Sequence, residues 1–218
     1  MQALNLVNHI AEDPSQLTAK FVRHLHTTCA RSCRILPSHD RRSRESIGDI
    51  STRLTYANIG VSRATTQKNV QFTGPQAVQY CPFEDVDSEL EHITSLAQQW
   101  IANWQRNPFA VSAWILLVLS SCCPFEVANG RISRLLASAP LVKSGLPPLC
   151  IPSSARVEYF TALSEVSRFL SMNPVLLTSL NVGCTGSKVR RLWSPDSSDF
   201  QLFAHCLGWS SGSVQLMY

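Results

Sequence analysis

Apolar residues recur at helical spacing through most of the chain. Residues 2–12 predict a short helix stopped at Asp13-Pro14, because the residue before a proline is driven out of the helical region. Ser15 or Thr18 caps the next helix, expected to run to about Cys33 with Leu17, Phe21, Leu25 and Thr28 buried. From Pro37 to about Arg53 the apolar period vanishes while serine and charge rise, the pattern of a linker or long loop. Partial alternation in 54–62 and 69–73, closed by Gly74-Pro75, predicts a small β-hairpin.

Beyond Pro82 the helical period is clear. Leu90, Ile93, Ala97, Trp100, Ile101 and Trp104 form one stripe, and Trp114 is assigned to the core. Asn107-Pro108 opens a helix apolar on all sides that ends near Cys122. A further helix spans 129–143, with Gly145 as a left-handed stop and Pro147-Pro148 preventing continuation. Ser153 or Ser154 caps the last, with Tyr159, Phe160, Leu163, Val166 and Leu170 on its stripe. No repeat of solenoid length is present. The expected fold is all-α, a helical bundle with a small hairpin. Its parts are the first helices at 1–37, a basic linker and hairpin at 38–80, a core at 81–172, and a Gly/Ser-rich tail at 173–218 that packs poorly.

Composition narrows the function classes. A chain of 218 residues, 44% hydrophobic and 16% charged, can bury a core of its own. Net charge is only +4, with much of it in the run 41-RRSR-44 beside Arg31 and Arg34, so a solvated loop is expected rather than a nucleic-acid or membrane surface. The segment 109–121 is about a dozen residues long against the ~20 a membrane span needs, and reads as a core helix. Eight cysteines (Cys29, Cys33, Cys81, Cys122, Cys123, Cys150, Cys184, Cys206) raise the question of disulfides. The first residues lack a basic region followed by an apolar one, so reduced thiols in cytoplasm or nucleus are expected.

The chemistry concentrates in 122-CCPFEVANGRISRLL-136. Small residues at a helix start let backbone N–H groups approach an anion, and the helix dipole adds to the pull. Arg131 and Arg134 stand three apart and leave the same face of the first turns, and guanidinium forks match phosphate oxygens. A polyphosphate across that helix end would be held at two points.

The stretch Cys123-Pro-Phe-Glu-Val-Ala-Asn-Gly-Arg-Ile-Ser-Arg134 resembles the motif of the Fic (Fido) domain family, His-x-Phe-x-Asp/Glu-Gly/Ala-Asn-Gly/Lys-Arg-x-x-Arg, and in particular its fungal members. The resemblance covers residues 4–172 and is strongest over 96–163. It takes in 96-LAQQWIANWQRNPFAVSAWI-115, 135-LLASAPLVKSGLPPLCIPSSARVEYFTAL-163, and an early helix with Leu25-His26. It implies a Fic-type helical bundle with a flap, and protein adenylyltransferase chemistry (AMPylation). AMP would pass from ATP to a Ser, Thr or Tyr hydroxyl of a target protein, with Mg²⁺. Phe125 would anchor the loop; Ala128, Asn129, Gly130, Arg131 and Arg134 would bind the nucleotide; the target would dock on the hairpin at 54–73. The family's inhibitory element, a glutamate followed by Gly or Asn, is absent from these 218 residues.

Two positions depart from the motif. Cys123 stands where the family has its histidine base, and a thiol of ordinary pKa ~8.5 is mostly protonated at neutral pH. Val127 stands where the family has its acidic metal ligand, and an isopropyl group has no lone pair to offer. Glu126 is a weak substitute, since adjacent side chains entering a helix point about 100° apart. Mg²⁺ is therefore disfavoured, and ATP remains the candidate ligand. Cys123 is read as a small residue tolerated after its role was lost. The alternative is a thiolate nucleophile, activated by a helix N-terminus and nearby arginines.

Other constellations weigh less. In 24-HLHTTCARSC-33, His26, Cys29 and Cys33 share a helix face, but a fourth zinc ligand is missing. The tetrapeptide CPFE at 81–84 lacks the downstream glycine and arginines. Tyr56, Tyr80 and Tyr159 are assigned to packing. The expected function is that of a catalytically impaired, nucleotide-binding pseudoenzyme of the Fic type. The alternative is a protein-interaction module on the same scaffold.

Overall fold

The computed structural model describes residues 2–31, 35–38, 53–72, 78–103, 107–155 and 157–163. Five longer helices carry the core: α1 (Gln2–Glu12), α2 (Ala19–Cys29), α4 (Val86–Ala102), α5 (Pro108–Cys122) and α6 (Asn129–Lys143), with a single turn, α3 (Arg63–Thr66), between α2 and α4. The apolar α5 runs through the middle and packs on α4 and α6, while α1 lies on α6. Ala110, Val111, Ala113, Trp114, Ile115, Leu116, Leu117 and Leu119 are buried around its circumference. Each fully buried large aliphatic side chain contributes about 1.5–3 kcal/mol, so α5 is the axis of stability.

Small residues let α5 and α6 approach closely. Ser112 and Ala137 are fully buried, and the Ser112 hydroxyl donates across the interface to the Ala137 carbonyl. The loop joining these two helices, 123–128, inherits their rigidity.

Local signals explain the helix ends. The Asp13 carboxylate accepts from the Ser15 N–H at 3.1 Å and stops α1. Of the two caps considered, Thr18 opens α2, its hydroxyl accepting from the Phe21 N–H at 3.2 Å. The Asn107 side chain accepts from Phe109 and Ala110 ahead of Pro108. Gly145, at φ +74, ends α6 as a left-handed residue should.

The structure corrects several expectations. Helix α2 ends at Cys29, four residues before Cys33, and its buried face is Val22, Leu25 and His26, whereas Phe21 and Thr28 are only half-buried. The hairpin expected across 54–73 does not form. Strand β2 (Arg53–Tyr56) pairs instead with β1 (Ile35–Ser38), Ile35 facing Tyr56. Strand β3 (Gln71–Phe72) pairs with β4 (Val78–Gln79). Midway between the expected strands, Arg63 is buried and its N–H donates to the Pro124 carbonyl, seating its turn on the loop. Tyr56 is 77% exposed and is no packing residue; Phe160 is 52% exposed, off the predicted stripe. Trp100 does pack on Trp114, with ring centroids 4.4 Å apart. The predicted stripe positions Trp104, Val166 and Leu170, the run 41–44 and the tail 173–218 lie outside the described residues.

Candidate functional site

Residues 123–128 form a turn whose two ends both adopt left-handed backbone, Cys123 at φ +49 and Ala128 at φ +61. Each costs a non-glycine residue roughly 1–2 kcal/mol, so the surrounding contacts must hold the turn in shape. Four side chains do so, and three of them grip the backbone.

The first is Arg63, fully buried on α3. Its Nε donates to the Cys123 carbonyl at 2.6 Å, and its Nη2 to the carbonyls of Cys122 at 3.0 Å and Cys81 at 2.7 Å. Its Nη1 donates to the Lys68 carbonyl at 3.0 Å, and its backbone N–H to the Pro124 carbonyl at 2.8 Å. Among the described residues no carboxylate pairs with it. Burying a charge is costly; here the negative end of the α5 dipole and a full set of carbonyl acceptors offset the cost.

His26, also fully buried, is the second. Its Nδ1 accepts from the Gly60 N–H at 2.9 Å, so Nε2 carries the proton and donates to the Val127 carbonyl at 3.0 Å. Its ring lies flat on Phe125, centroids 3.9 Å apart and planes 3° from parallel. Burial holds its pKa below the ordinary histidine value, and the charge of Arg131 adds to the shift. The imidazole is therefore neutral, with both nitrogens committed. Gly60 sits at φ +81, and a Cβ there would strike the Thr27 hydroxyl.

Asn129 closes the loop from below. Its Oδ1 accepts from the Phe125 N–H at 2.9 Å and its Nδ2 donates to the Phe125 carbonyl at 2.6 Å. The fourth grip is Glu126, whose side chain is 7% exposed. Its carboxylate takes the Lys68 ammonium at 2.9 Å and the Asn58 side-chain amide at 3.2 Å. Burial would raise this carboxyl, but the hydrogen bonds from Lys68 and Asn58 and the Lys68 charge hold it below the usual carboxylate value.

The chemical positions have a different character. Cys123 is 7% exposed, and burial pushes its thiol up to about 11, Arg63 opposing. It stands at the C-terminal end of α5, not at the N-terminus of α6, and the nearest guanidinium is Arg63 rather than Arg131 or Arg134. The premise of an activated thiolate does not survive this placement, because a helix C-terminus repels negative charge. Val127 offers only a carbonyl, already taken by His26.

At the start of α6, Gly130 and Arg131 are exposed, while Ile132 and Ser133 turn into the core. The N–H groups of Asn129 and Gly130 have no partner among the described residues, as expected for a first helical turn. Arg131 is exposed, with Nη1 donating to the Cys29 carbonyl at 3.3 Å. Arg134 lies against the same turn: a Cβ on Gly130 would stand 3.6 Å from its Nη1. The Tyr159 phenol, raised by burial, is lowered by the neighbouring Arg134 guanidinium. Tyr159 thus belongs to the site's edge as well as to packing.

Sequence reasoning missed Arg63, Lys68 and Asn58, which lie in a polar run with no periodicity to mark them. His26 was visible in a zinc pattern and in the Leu25-His26 helix of the resemblance, but neither assigned it to the loop. Both its nitrogens are spent on backbone, and the described residues contain no cluster able to hold a metal.

No family model matches the chain. A Fido domain-containing protein of Dictyostelium discoideum is 36% identical over 72 residues, 33% of this chain and 50% of that protein. Protein adenylyltransferase fic-1 of Caenorhabditis briggsae is 29% identical over 91 residues, 42% of this chain and 15% of that protein. The chain thus spans half the length or less of these curated relatives. A Fic domain containing signaling protein of Bacteroides thetaiotaomicron superposes with a TM-score of 0.61 at 19% identity, covering 94% of this chain and 63% of the other. That likeness establishes a Fic-type fold, and the chain is similar in sequence to proteins of the Fic (Fido) domain family.

Proposed function

We propose that this chain is a Fic-type nucleotide-binding protein related to protein adenylyltransferases, with AMP transfer impaired at Cys123 and Val127. The observation that carries the reading is the contrast within one loop. The backbone is held by Arg63, His26 and Asn129, while a thiol near pKa 11 and an isopropyl group occupy the positions of base and metal ligand.

ATP would lay its phosphates on the Asn129 and Gly130 N–H groups, between the guanidiniums of Arg131 and Arg134. Asn129 contributes backbone only, its amide being spent on Phe125. Mg²⁺ does not fit the donor set: Val127 has no lone pair, and the Glu126 carboxylate is engaged by Lys68 and Asn58. No step is routed through a metal. A target protein would dock along 54–73, where Tyr56 projects into solvent. Among the described residues no helix is long and apolar enough to cross a membrane.

Two measurements test the reading. ATP binding is expected by titration calorimetry, weakened at least about tenfold by Arg131→Ala or Arg134→Ala, since a charge-assisted contact contributes ~1.5–3 kcal/mol. Labelled ATP with Mg²⁺ and a lysate is expected to give little transfer. A Cys123→His/Val127→Asp variant is expected to give about a hundredfold more. Strong labelling by the unaltered protein, equal to the variant's, would overturn impairment. Absence of ATP binding would favour the interaction module.

A further inference from the structure

A second reactive cluster lies on the far side of Arg63 from the phosphate turn. Cys81 precedes α4, and its N–H donates to the Ser121 carbonyl at 3.4 Å. The Arg63 Nη2 bridges the carbonyls of Cys81 at 2.7 Å and Cys122 at 3.0 Å, so two segments distant in sequence are clamped side by side. With these backbones clamped together, the two thiols lie close enough to shift each other's ionisation, and the Cys81 thiol donates to the Pro82 carbonyl at 3.5 Å. Cys122 is 2% exposed, whereas Cys81 is half-exposed. Neither thiol has a part in the loop's phosphate chemistry.

We propose that Cys81 and Cys122 are an oxidisable pair, closing to an intramolecular disulfide beneath the Fic loop when a peroxide reaches Cys81. Cys81 is the attacking thiol because it is accessible. The neighbouring Cys122 pulls its pKa down, against burial and the charges of Glu89 and Asp85, and Arg63 assists. Cys122 is the resolving thiol: its partner and burial both push it up, keeping it protonated until the first step has occurred. Glu89, raised to about 7 by burial and by Asp85, is a nearby carboxyl that exchanges protons at neutral pH.

The chemistry balances. The Cys81 sulfur attacks a peroxide oxygen; an S–O bond forms, the O–O bond breaks, and the departing hydroxide takes the thiol proton as water. The Cys122 sulfur then attacks the Cys81 sulfur; an S–S bond forms, the S–O bond breaks, and hydroxide leaves with the Cys122 proton as a second water. Two thiols lose two electrons and one hydrogen peroxide is reduced. The bond would tie the entry of α4 to the last residue of α5, one position before Cys123. Clamped backbones favour it over a link between Cys122 and Cys123, whose adjacent positions demand a strained ring.

The test uses the full chain, stoichiometric hydrogen peroxide, alkylation of remaining thiols and tryptic mass mapping. The expected product has lost about 2 Da, links the Cys81 and Cys122 peptides, reverts with dithiothreitol, and forms about tenfold faster than oxidation of the exposed Cys150. Its midpoint of thermal unfolding should rise by roughly 5–10 °C. Cys81→Ser and Cys122→Ala, both close in volume to cysteine, should each abolish the link, whereas Cys123→Ser should leave it intact. A Cys122–Cys123 link, intermolecular dimers as the main product, or Cys81 still alkylatable after Cys150 has reacted would each overturn the proposal.

Discussion

The two halves of the loop motif are built differently. Residues 122–127 are held from outside: Arg63 takes the carbonyls of Cys122 and Cys123, its N–H takes that of Pro124, and His26 takes that of Val127. Residues 128–134 are held by their own helix and by Ile132 and Ser133 in the core, and they leave the Asn129 and Gly130 N–H groups without partners among the described residues and Arg131 exposed. The first half is therefore gripped through backbone atoms that every residue type possesses. Its side chains at 123 and 127 can change without loosening the grip. The residues at 123 and 127 are thus free to vary without changing the loop's shape, because backbone atoms do the holding.

The comparison predicts its own failures. Arg63→Ala is expected to have the largest effect, leaving the buried Cys122 and Cys123 carbonyls and the part-buried Cys81 and Lys68 carbonyls without their donor and a void in place of the guanidinium. It should cost at least about 3 kcal/mol in urea unfolding. A loss under ~1 kcal/mol would mean the first half is not held from outside.

His26→Ala comes next, at about 2–3 kcal/mol, from the lost hydrogen bonds and the Phe125 stack. It also carries a pH signature. The folded-state pKa of His26 lies below its ordinary value of 6.5, so between the two the unfolded chain binds more protons. Stability is full above about pH 6.5 and falls as the pH drops through that range. His92, also lowered by burial, contributes to the same slope. Unfolding curves from pH 7.5 to 5 should show a shallower slope in the variant; an unchanged slope would sink the neutral-clamp assignment.

The smallest effect, of opposite sign, belongs to the second half. Ala128→Gly relieves a left-handed alanine at φ +61 and should stabilise by roughly 0.5–1 kcal/mol. Arg131→Ala should leave the unfolding midpoint within about 0.5 kcal/mol while weakening ATP binding, since its guanidinium is exposed. If it destabilised as much as His26→Ala, that guanidinium would be structural too.

Much of this was legible in the chain. The helices from Val86 onward, the caps at Thr18 and Asn107, and the stop at Gly145 follow from apolar period and local turn chemistry, which need no distant partner. The start of α6 at Asn129, with Arg131 and Arg134 three apart beyond it, was likewise a local pattern. The end of α2 and the pairing of residues 53–79 were not legible. The β1–β2 pairing joins segments well apart in sequence, and the buried Arg63 between the two strand pairs is a lone arginine in a polar run, which carries no signal of burial.

The sequence by itself determined which groups could react: a cysteine and a valine stand at the two chemical positions whatever the fold. Tertiary structure alone decided what those groups are worth. It placed Cys123 at the C-terminal end of a helix and in a dry site, gave the Val127 carbonyl to His26, and clamped the backbones of Cys81 and Cys122 together through Arg63. Composition names the donors and acids; desolvation, dipole direction and contact across sequence distance set their protonation, and those exist only once the chain has folded.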